Sequence, residues 1–195
     1  MKIDMHTHTK EGSVCSNVPV ELLIDTLIKK GFDGVLITDH ESIKGFECFK
    51  LLNKKPSDFI VLRGFEYTTT LGDMLVILPT EEVIPYKQNM GPFELIDIVH
   101  QKGGVVGIAH MFRDIVSIGN NAKTFKLLES IVKKVDFIEV ENGLADEDAN
   151  FTALWWAMQY FKPQTKGSDS HTVEDIGKTG TIFIADIKDE KDLIE

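Results

Sequence analysis

The chain has 195 residues, 43% of them apolar, and sets 31 acidic against 21 basic side chains for a net charge of −10. That length suffices for one domain with a sizeable core, and the acidic balance disfavours sequence-independent nucleic-acid binding, which rests on Lys and Arg neutralising phosphates. No apolar run approaches the roughly 20 residues of a membrane span, the N-terminus lacks a signal peptide's basic and apolar regions, and the two cysteines, Cys15 and Cys48, fit a reducing compartment. The expectation is a single domain over 1–195, cytoplasmic, with no membrane partner and its oligomeric state open.

The opening residues, M-K-I-D-M-H-T-H, alternate apolar and polar side chains and read as a strand running into His6-Thr7-His8. Residues two apart share a face of a strand, so His6 and His8 project together at its end. Asn17 to Pro19 begins a helix with Leu22, Leu23, Leu27 and Ile28 at helical spacing and Gly31 to end it. Gly34–Thr38 is an apolar run suited to a buried parallel strand, followed by Asp39 and His40. Ser42 caps a helix to about Asn53, and Phe59–Leu62 is a third strand ending at Gly64-Phe65-Glu66. Tyr67–Thr70, a turn at Leu71-Gly72-Asp73 and Met74–Leu78 read as a hairpin.

Pro92 opens a helix closed by Gly103-Gly104, and Val105–Ala109 is a strand ending at His110. A helix over 122–134 leads to the strand Asp136–Val140, then Glu141-Asn142-Gly143. A helix over 146–161 precedes Lys166-Gly-Ser-Asp-Ser-His171, Thr181–Ile184 is the last strand, and a helix closes the chain. The alternation argues for an α/β fold, either a barrel or an open wound sheet.

On this map His6, His8, Asp39, His40, Glu66, His110, Glu139, Glu141, Asp169 and His171 all fall at or just past the ends of strands. That edge is where sites form in parallel α/β folds. Neutral imidazoles and carboxylates together suit Zn²⁺, Mn²⁺ or Fe²⁺ better than Ca²⁺ or Mg²⁺. The donors outnumber one tetrahedral shell, so two to three divalent ions are expected, with a carboxylate such as Glu66 bridging neighbours. Adjacent ions can clamp a phosphate and activate a bridging water, which points to a hydrolase with phosphate esters as its leading substrates.

The ordered set D-x-H-x-H, T-D-H, G-x-E, A-H and S-D-x-H resembles the PHP (polymerase and histidinol phosphatase) family over essentially the whole chain. The resemblance implies a distorted seven-stranded (β/α)7 TIM-like barrel holding up to three metals, and phosphoesterase activity. It assigns His6, His8, Glu66 and Asp169 to a first ion, Glu66 and His110 to a second, and His40 and His171 to a third. The chain departs from the family in two places. Asp73 stands where a further histidine ligand of the second ion is expected, and Lys10-Glu11-Gly12-Ser13 lies where the third ion gains a His or Asp, so Glu11 is the replacement to test. Met111 stands for the proline of the family's A-H-P-x-R run, with Arg113 retained as a phosphate clamp; an ion pair with Asp114 or another loop acid is its alternative. Glu66, Asp169, His171 and Arg113 are the expected catalytic residues, and Arg113 and Asn142 the expected substrate contacts.

Asp39 reads as a partner orienting a histidine, and His100 as a helix-end surface residue. Cys15 reads as a small buried residue, with ligation or redox chemistry as its alternatives. Three functions compete: a small-molecule phosphomonoesterase, a phosphodiesterase or nuclease, and a catalytically weak metal-binding regulatory module. The expected partner is a phosphorylated small molecule, nucleic acid being disfavoured by charge. The amidohydrolase barrel also opens with H-x-H, but no strand-end lysine is placed to serve as its carboxylated bridge.

Overall fold

The computed structural model describes residues 1–53, 55–113 and 122–195. Its strands are β1 (Lys2–Thr7), β2 (Gly34–Ile37), β3 (Ile60–Arg63), β4 (Phe65–Thr69), β5 (Gly72–Ile77), β6 (Val105–Ile108), β7 (Phe137–Asn142), β8 (Gln164–Gly167) and β9 (Thr181–Ile182). The helices are α1 (Val20–Lys29), α2 (Lys44–Leu51), α3 (Pro92–Gln101), α4 (Ala122–Lys134), α5 (Glu147–Gln159) and α6 (Glu190–Ile194).

Helix boundaries follow local chemistry. Gly31 and Gly103, both at positive φ, end α1 and α3, and Pro92 sits in the first turn of α3. The Asp146 carboxylate accepts from the Ala149 N–H at 2.7 Å to cap α5. Helix α1 turns Val20, Leu23, Ile24 and Leu27 inward and leaves Leu22 and Ile28 partly exposed, so its buried stripe lies to one side of the one read from sequence.

The strands form two sheets among the described residues, in the orders β3-β2-β1-β9 and β4-β5-β6-β7-β8, rather than one closed seven-stranded barrel. β1, β2 and β3 pair in parallel, as do β6, β7 and β8, whereas β4, β5 and β6 pair antiparallel. The sheets touch at both margins. β3 runs through Gly64 directly into β4, where His40 bridges to Glu66. At the other margin Asp169 N–H donates to His6 C=O (2.7 Å) and His8 N–H to Ser170 C=O (3.2 Å). The ladder does not continue there because the edge of β1 beside Lys2 and Ile3 is taken by β9, which pairs antiparallel to it. The last strand is therefore shorter than Thr181–Ile184 and reversed in direction.

β8 was hidden in the sequence because Q-T-K-G carries no apolar run; its neighbours β7 and β1 bury Thr165 and Gly167 instead. Gly167 is needed for that approach, since a Cβ there would lie 2.3 Å from the His6 Cβ. Between the sheets Ile3, Met5, Leu36, Leu62, Leu75, Ile77, Ala109 and Phe137 pack into one apolar cluster. Outside them the helices cover a second and a third. In the adjacent tryptophans of α5, Trp156 is buried and Trp155 is exposed.

Candidate metal centre

Strand ends deliver the polar residues to one place. The register of β1 against β2 shifts between Asp4 and Thr7, where His6 sits. His6 and His8 are fully buried, with their Nε2 atoms 3.1 Å apart. Glu66 Oε2 lies 3.3 Å from His6 Nε2 and 3.2 Å from His8 Nε2, and Asp169 Oδ1 lies 3.4 and 3.1 Å from the same atoms. Donor atoms of these four residues fall within 4.8 Å of one another. A second group within that span joins Glu66, Asp73 and His110; a third joins His8, Cys15, His40 and His171. Each of the expected ligands except Glu11 belongs to one of the three.

The outer nitrogens of the rings are held by protein acceptors. Glu139 Oε1 takes the His6 Nδ1 side at 3.0 Å, and His171 Nδ1 meets the Asp169 carbonyl at 2.8 Å. Those contacts place the proton on Nδ1 and leave Nε2 as the inward lone pair. Glu139 Oε2 also accepts from His110 N–H at 2.7 Å and from Asn142 Nδ2 at 3.0 Å. Asp39 acts at one remove. It accepts from the Ser13 hydroxyl at 2.8 Å, and Ser13 Oγ in turn accepts from His40 N–H at 3.0 Å and faces His8 Nδ1 at 3.3 Å. The loop passes so close that a Cβ on Gly12 would lie 2.1 Å from Asp39 Oδ2. His110 and Asp169 both adopt positive φ, a strained backbone held by the surrounding structure at the two points where these side chains enter the site.

Burial and charge oppose each other here. Burial would push the Glu66 carboxyl up, but the His6 charge and hydrogen bonds from His110, His6 and His8 hold it well below the usual carboxylate range. Asp169 is likewise held low, by His6 and His8 against its burial. Burial opposes charge on the rings, yet Asp169, Glu139 and Glu66 raise His6 well above its ordinary value, and hydrogen bonds to Asp169 and Glu66 push His8 up to about 8. Burial, then Glu66, raises Asp73. Partial desolvation raises the Cys15 thiol, with the charges of Glu66, Asp169 and Asp39 adding to it. The cavity thus calls for cationic charge, which protons supply on the rings or a divalent ion supplies in their place. Imidazole nitrogens and carboxylate oxygens converging in this way fit such an ion.

Several residues stand elsewhere than expected. Glu11 does not reach the centre: its carboxylate accepts from the Val20 N–H at 3.1 Å, at the start of α1. Cys15 is exposed rather than buried, at the rim beside His40 and His171. Asn142 is buried, donating to Glu139 and to Asp169 (3.2 Å) and accepting from Leu144 N–H (2.9 Å), so it braces two carboxylates. Arg113 is half-buried on the active edge, its guanidinium paired with Asp169 Oδ2; Asp114 lies outside the described residues. His100 meets Asp136 at 2.9 Å in the last turn of α3, away from the centre. The bracing roles of Glu139 and Asn142 had one signal in the sequence, their place at a strand end, and nothing there to tell brace from ligand.

The fold and donor set define an α/β protein whose strand ends gather potential metal ligands into one buried cluster. The family model described as PHP-associated matches residues 147–195. The uncharacterized protein MJ1587 of Methanocaldococcus jannaschii is 27% identical over 124 residues, covering 59% of this chain and 70% of that protein. PsfC from Pseudomonas syringae shares the fold over 99% of this chain and 87% of its own, with a TM-score of 0.72 and 15% identity. A two-domain protein from Bacteroides vulgatus containing a predicted PHP-like metal-dependent phosphoesterase aligns over 89% of this chain and 53% of its own (TM-score 0.62, 15% identity). An amidohydrolase from Chromobacterium violaceum, solved with sulfate and without metal, aligns over 100% and 96% (TM-score 0.71, 15% identity). The family match is confined to the C-terminal quarter of the chain, and the likeness to the solved structures is one of fold. No helix among the described residues is long and apolar enough to cross a membrane.

Proposed function

We propose that this chain hydrolyses phosphate esters with the aid of two to three divalent ions, Zn²⁺, Mn²⁺ or Fe²⁺, and that its substrates are small phosphomonoesters in the cytoplasm. The observation that carries the reading is the buried convergence of His6, His8, Glu66 and Asp169, with the Arg113 guanidinium directly against it. When bound, such ions supply Lewis-acid charge to phosphoryl oxygens and acidify water.

The chain's own residues do the rest. Glu139 and the Asp169 carbonyl fix the His6 and His171 rings with Nε2 inward. Glu66 reaches toward His6, His8, His40 and His110 at once, which suits it to link neighbouring ions. Asn142 steadies Asp169, and Arg113 adds fixed positive charge where phosphoryl oxygens would gather. We read the two sheets as the halves of a distorted seven-stranded barrel, a reading supported by the isolated bridges Thr7–Ser170 and His40–Glu66 at their margins. The net charge of −10 speaks against a nucleic-acid substrate.

The test is metal content after purification without chelator, paired with phosphomonoester and phosphodiester screens under Mn²⁺, Zn²⁺ and Fe²⁺. Turnover of p-nitrophenyl phosphate that is lost in Glu66→Ala and His110→Ala is the expected result. Full activity in either variant overturns the assignment, and turnover of the bis ester alone moves the reading to a phosphodiesterase. Bound metal without turnover of any ester leaves a regulatory module. The likeness to the C. violaceum amidohydrolase favours a second reading, hydrolysis of a carbon–nitrogen bond. Against it, Glu66 is the residue suited to the bridging place, and Lys166 is paired with Glu141; the sulfate in that relative is itself a tetrahedral oxyanion like phosphate.

A further inference from the structure

We propose that Cys15 is a thiolate ligand, completing with His40 and His171 an outer ion position selective for thiophilic metals. The inference rests on the reading above, that the strand-end donors hold divalent ions. Cys15, His8, His40 and His171 each offer a donor atom within 4.8 Å of the others. The Nε2 lone pair of His8 is committed to the inner group, where Glu66 and Asp169 lie 3.2 and 3.1 Å away. One neutral imidazole nitrogen serves one ion, so Cys15, His40 and His171 remain for the outer position.

The loop that carries Cys15 is built to present it there. Lys10 N–H donates to Val18 C=O (2.9 Å) and Ser13 N–H to Thr9 C=O (2.9 Å), closing the loop on itself. Asn17 N–H donates to His171 C=O (3.0 Å), and the Ser16 hydroxyl to His8 C=O (2.9 Å). The residues on the C-terminal side of Cys15 are thus tied to the backbones of two histidines in the group. His171 is oriented with Nε2 available by its Nδ1 contact to the Asp169 carbonyl. The acid expected at this position, Glu11, is engaged on Val20 N–H instead.

Ligand atoms in a tetrahedral zinc shell lie about 3.3–3.6 Å apart, given bond lengths of about 2.0–2.3 Å to nitrogen and sulfur. Closing this group onto an ion therefore needs rotamer adjustment and no rebuilding of the loop. One thiolate and two imidazoles favour Zn²⁺ or Co²⁺ over Mn²⁺ or Mg²⁺, and they leave a fourth position open, as in sites that also receive water or substrate. The inner groups hold only nitrogen and oxygen donors, and no thiolate sharpens that preference there. The other cysteine, Cys48, is half-buried against the cluster around Val18 and Phe59 and serves as the internal control.

The test is Co²⁺ titration of chelator-stripped protein, followed by absorbance. Wild type and Cys48→Ser should show a near-ultraviolet thiolate-to-cobalt band that Zn²⁺ abolishes and Mn²⁺ does not. Cys15→Ser should lose the band and one equivalent of bound metal, with its circular dichroism unchanged. Cys15→His should recover the equivalent without the band. Zn²⁺ should also protect Cys15 from a thiol reagent. Phosphoesterase activity with no thiolate band, and an unchanged metal count in Cys15→Ser, would overturn the proposal and leave the hydrolase reading standing. Failure of wild type to bind Co²⁺ or Zn²⁺ at all would remove both.

Discussion

Replacing Glu139 by Gln tests whether a carboxylate outside the donor groups sets how tightly the centre holds metal. Glu139 Oε1 receives the His6 Nδ1 proton at 3.0 Å, while Oε2 receives His110 N–H at 2.7 Å and Asn142 Nδ2 at 3.0 Å. Gln fills the same volume, but its amide nitrogen cannot accept. Either His6 or the His110–Asn142 pair therefore loses its acceptor, and the charge that helps hold His6 in orientation is gone. A hydrogen bond to a charged group is worth about 1.5–3 kcal/mol. That agrees with the roughly 10–100-fold loss of metal affinity usual when such a partner is removed, or ~1.4–2.7 kcal/mol. The assay is chelator-competition titration of wild type and Glu139→Gln with Zn²⁺ and Mn²⁺, alongside turnover of a phosphomonoester at saturating metal. Affinity should fall by about 10–100-fold, with activity largely restored by excess metal. Unchanged affinity would refute the role given to Glu139, and normal affinity with abolished turnover would make it a participant in the chemistry.

Three further outcomes follow from the geometry. Asp4 is fully buried beneath the centre, with Oδ2 unpartnered, and burial raises its pKa from 3.8 to about 7. Its folded-state pKa lies above the unfolded one, so metal-free protein loses stability as pH rises from about 4 through 7, an effect of roughly 4 kcal/mol at most. His8, raised from 6.5 to about 8, adds a loss of roughly 2 kcal/mol as pH passes through about 8. Thermal melts of chelator-treated Asp4→Asn should therefore gain on wild type between pH 5 and pH 8, and a pH-independent difference would remove Asp4 as the titrating group. Gly167→Ala, whose Cβ would lie 2.3 Å from the His6 Cβ, should cost about 1–3 kcal/mol in denaturant titration; wild-type stability would mean that β8 and β1 separate easily there. Glu11→Ala removes the acceptor for Val20 N–H and should cost about 0.5–2 kcal/mol while leaving bound metal unchanged, whereas a lower metal count would return Glu11 to the ion shell.

The α/β class, many element boundaries and the residues that could bear chemistry are legible along the chain. Apolar runs such as Gly34–Ile37 and Val105–Ile108 declare strands from their own composition, and Asp39-His40 and His110 stand just beyond them. Gly31, Pro92 and Gly103 mark helix ends because backbone preference acts within a few residues. What depends on residues far apart in the chain emerges only from packing. Glu139 reaches His6 across 133 positions, and no local pattern separates its bracing role from that of a ligand. Glu11 and Cys15 sit four positions apart in one loop; only the turn held by Ser13 and Asp39, and the ties from Ser16 and Asn17, place the thiol rather than the carboxylate beside His40 and His171. β8 is a strand because β7 and β1 flank it, not because Q-T-K-G favours one, and among the described residues the β8 and β1 margins meet at an isolated bridge rather than a ladder, with β9 on the edge of β1. Periodicity is a property of neighbours along the chain, whereas register, closure and the grouping of donors are properties of packing between elements.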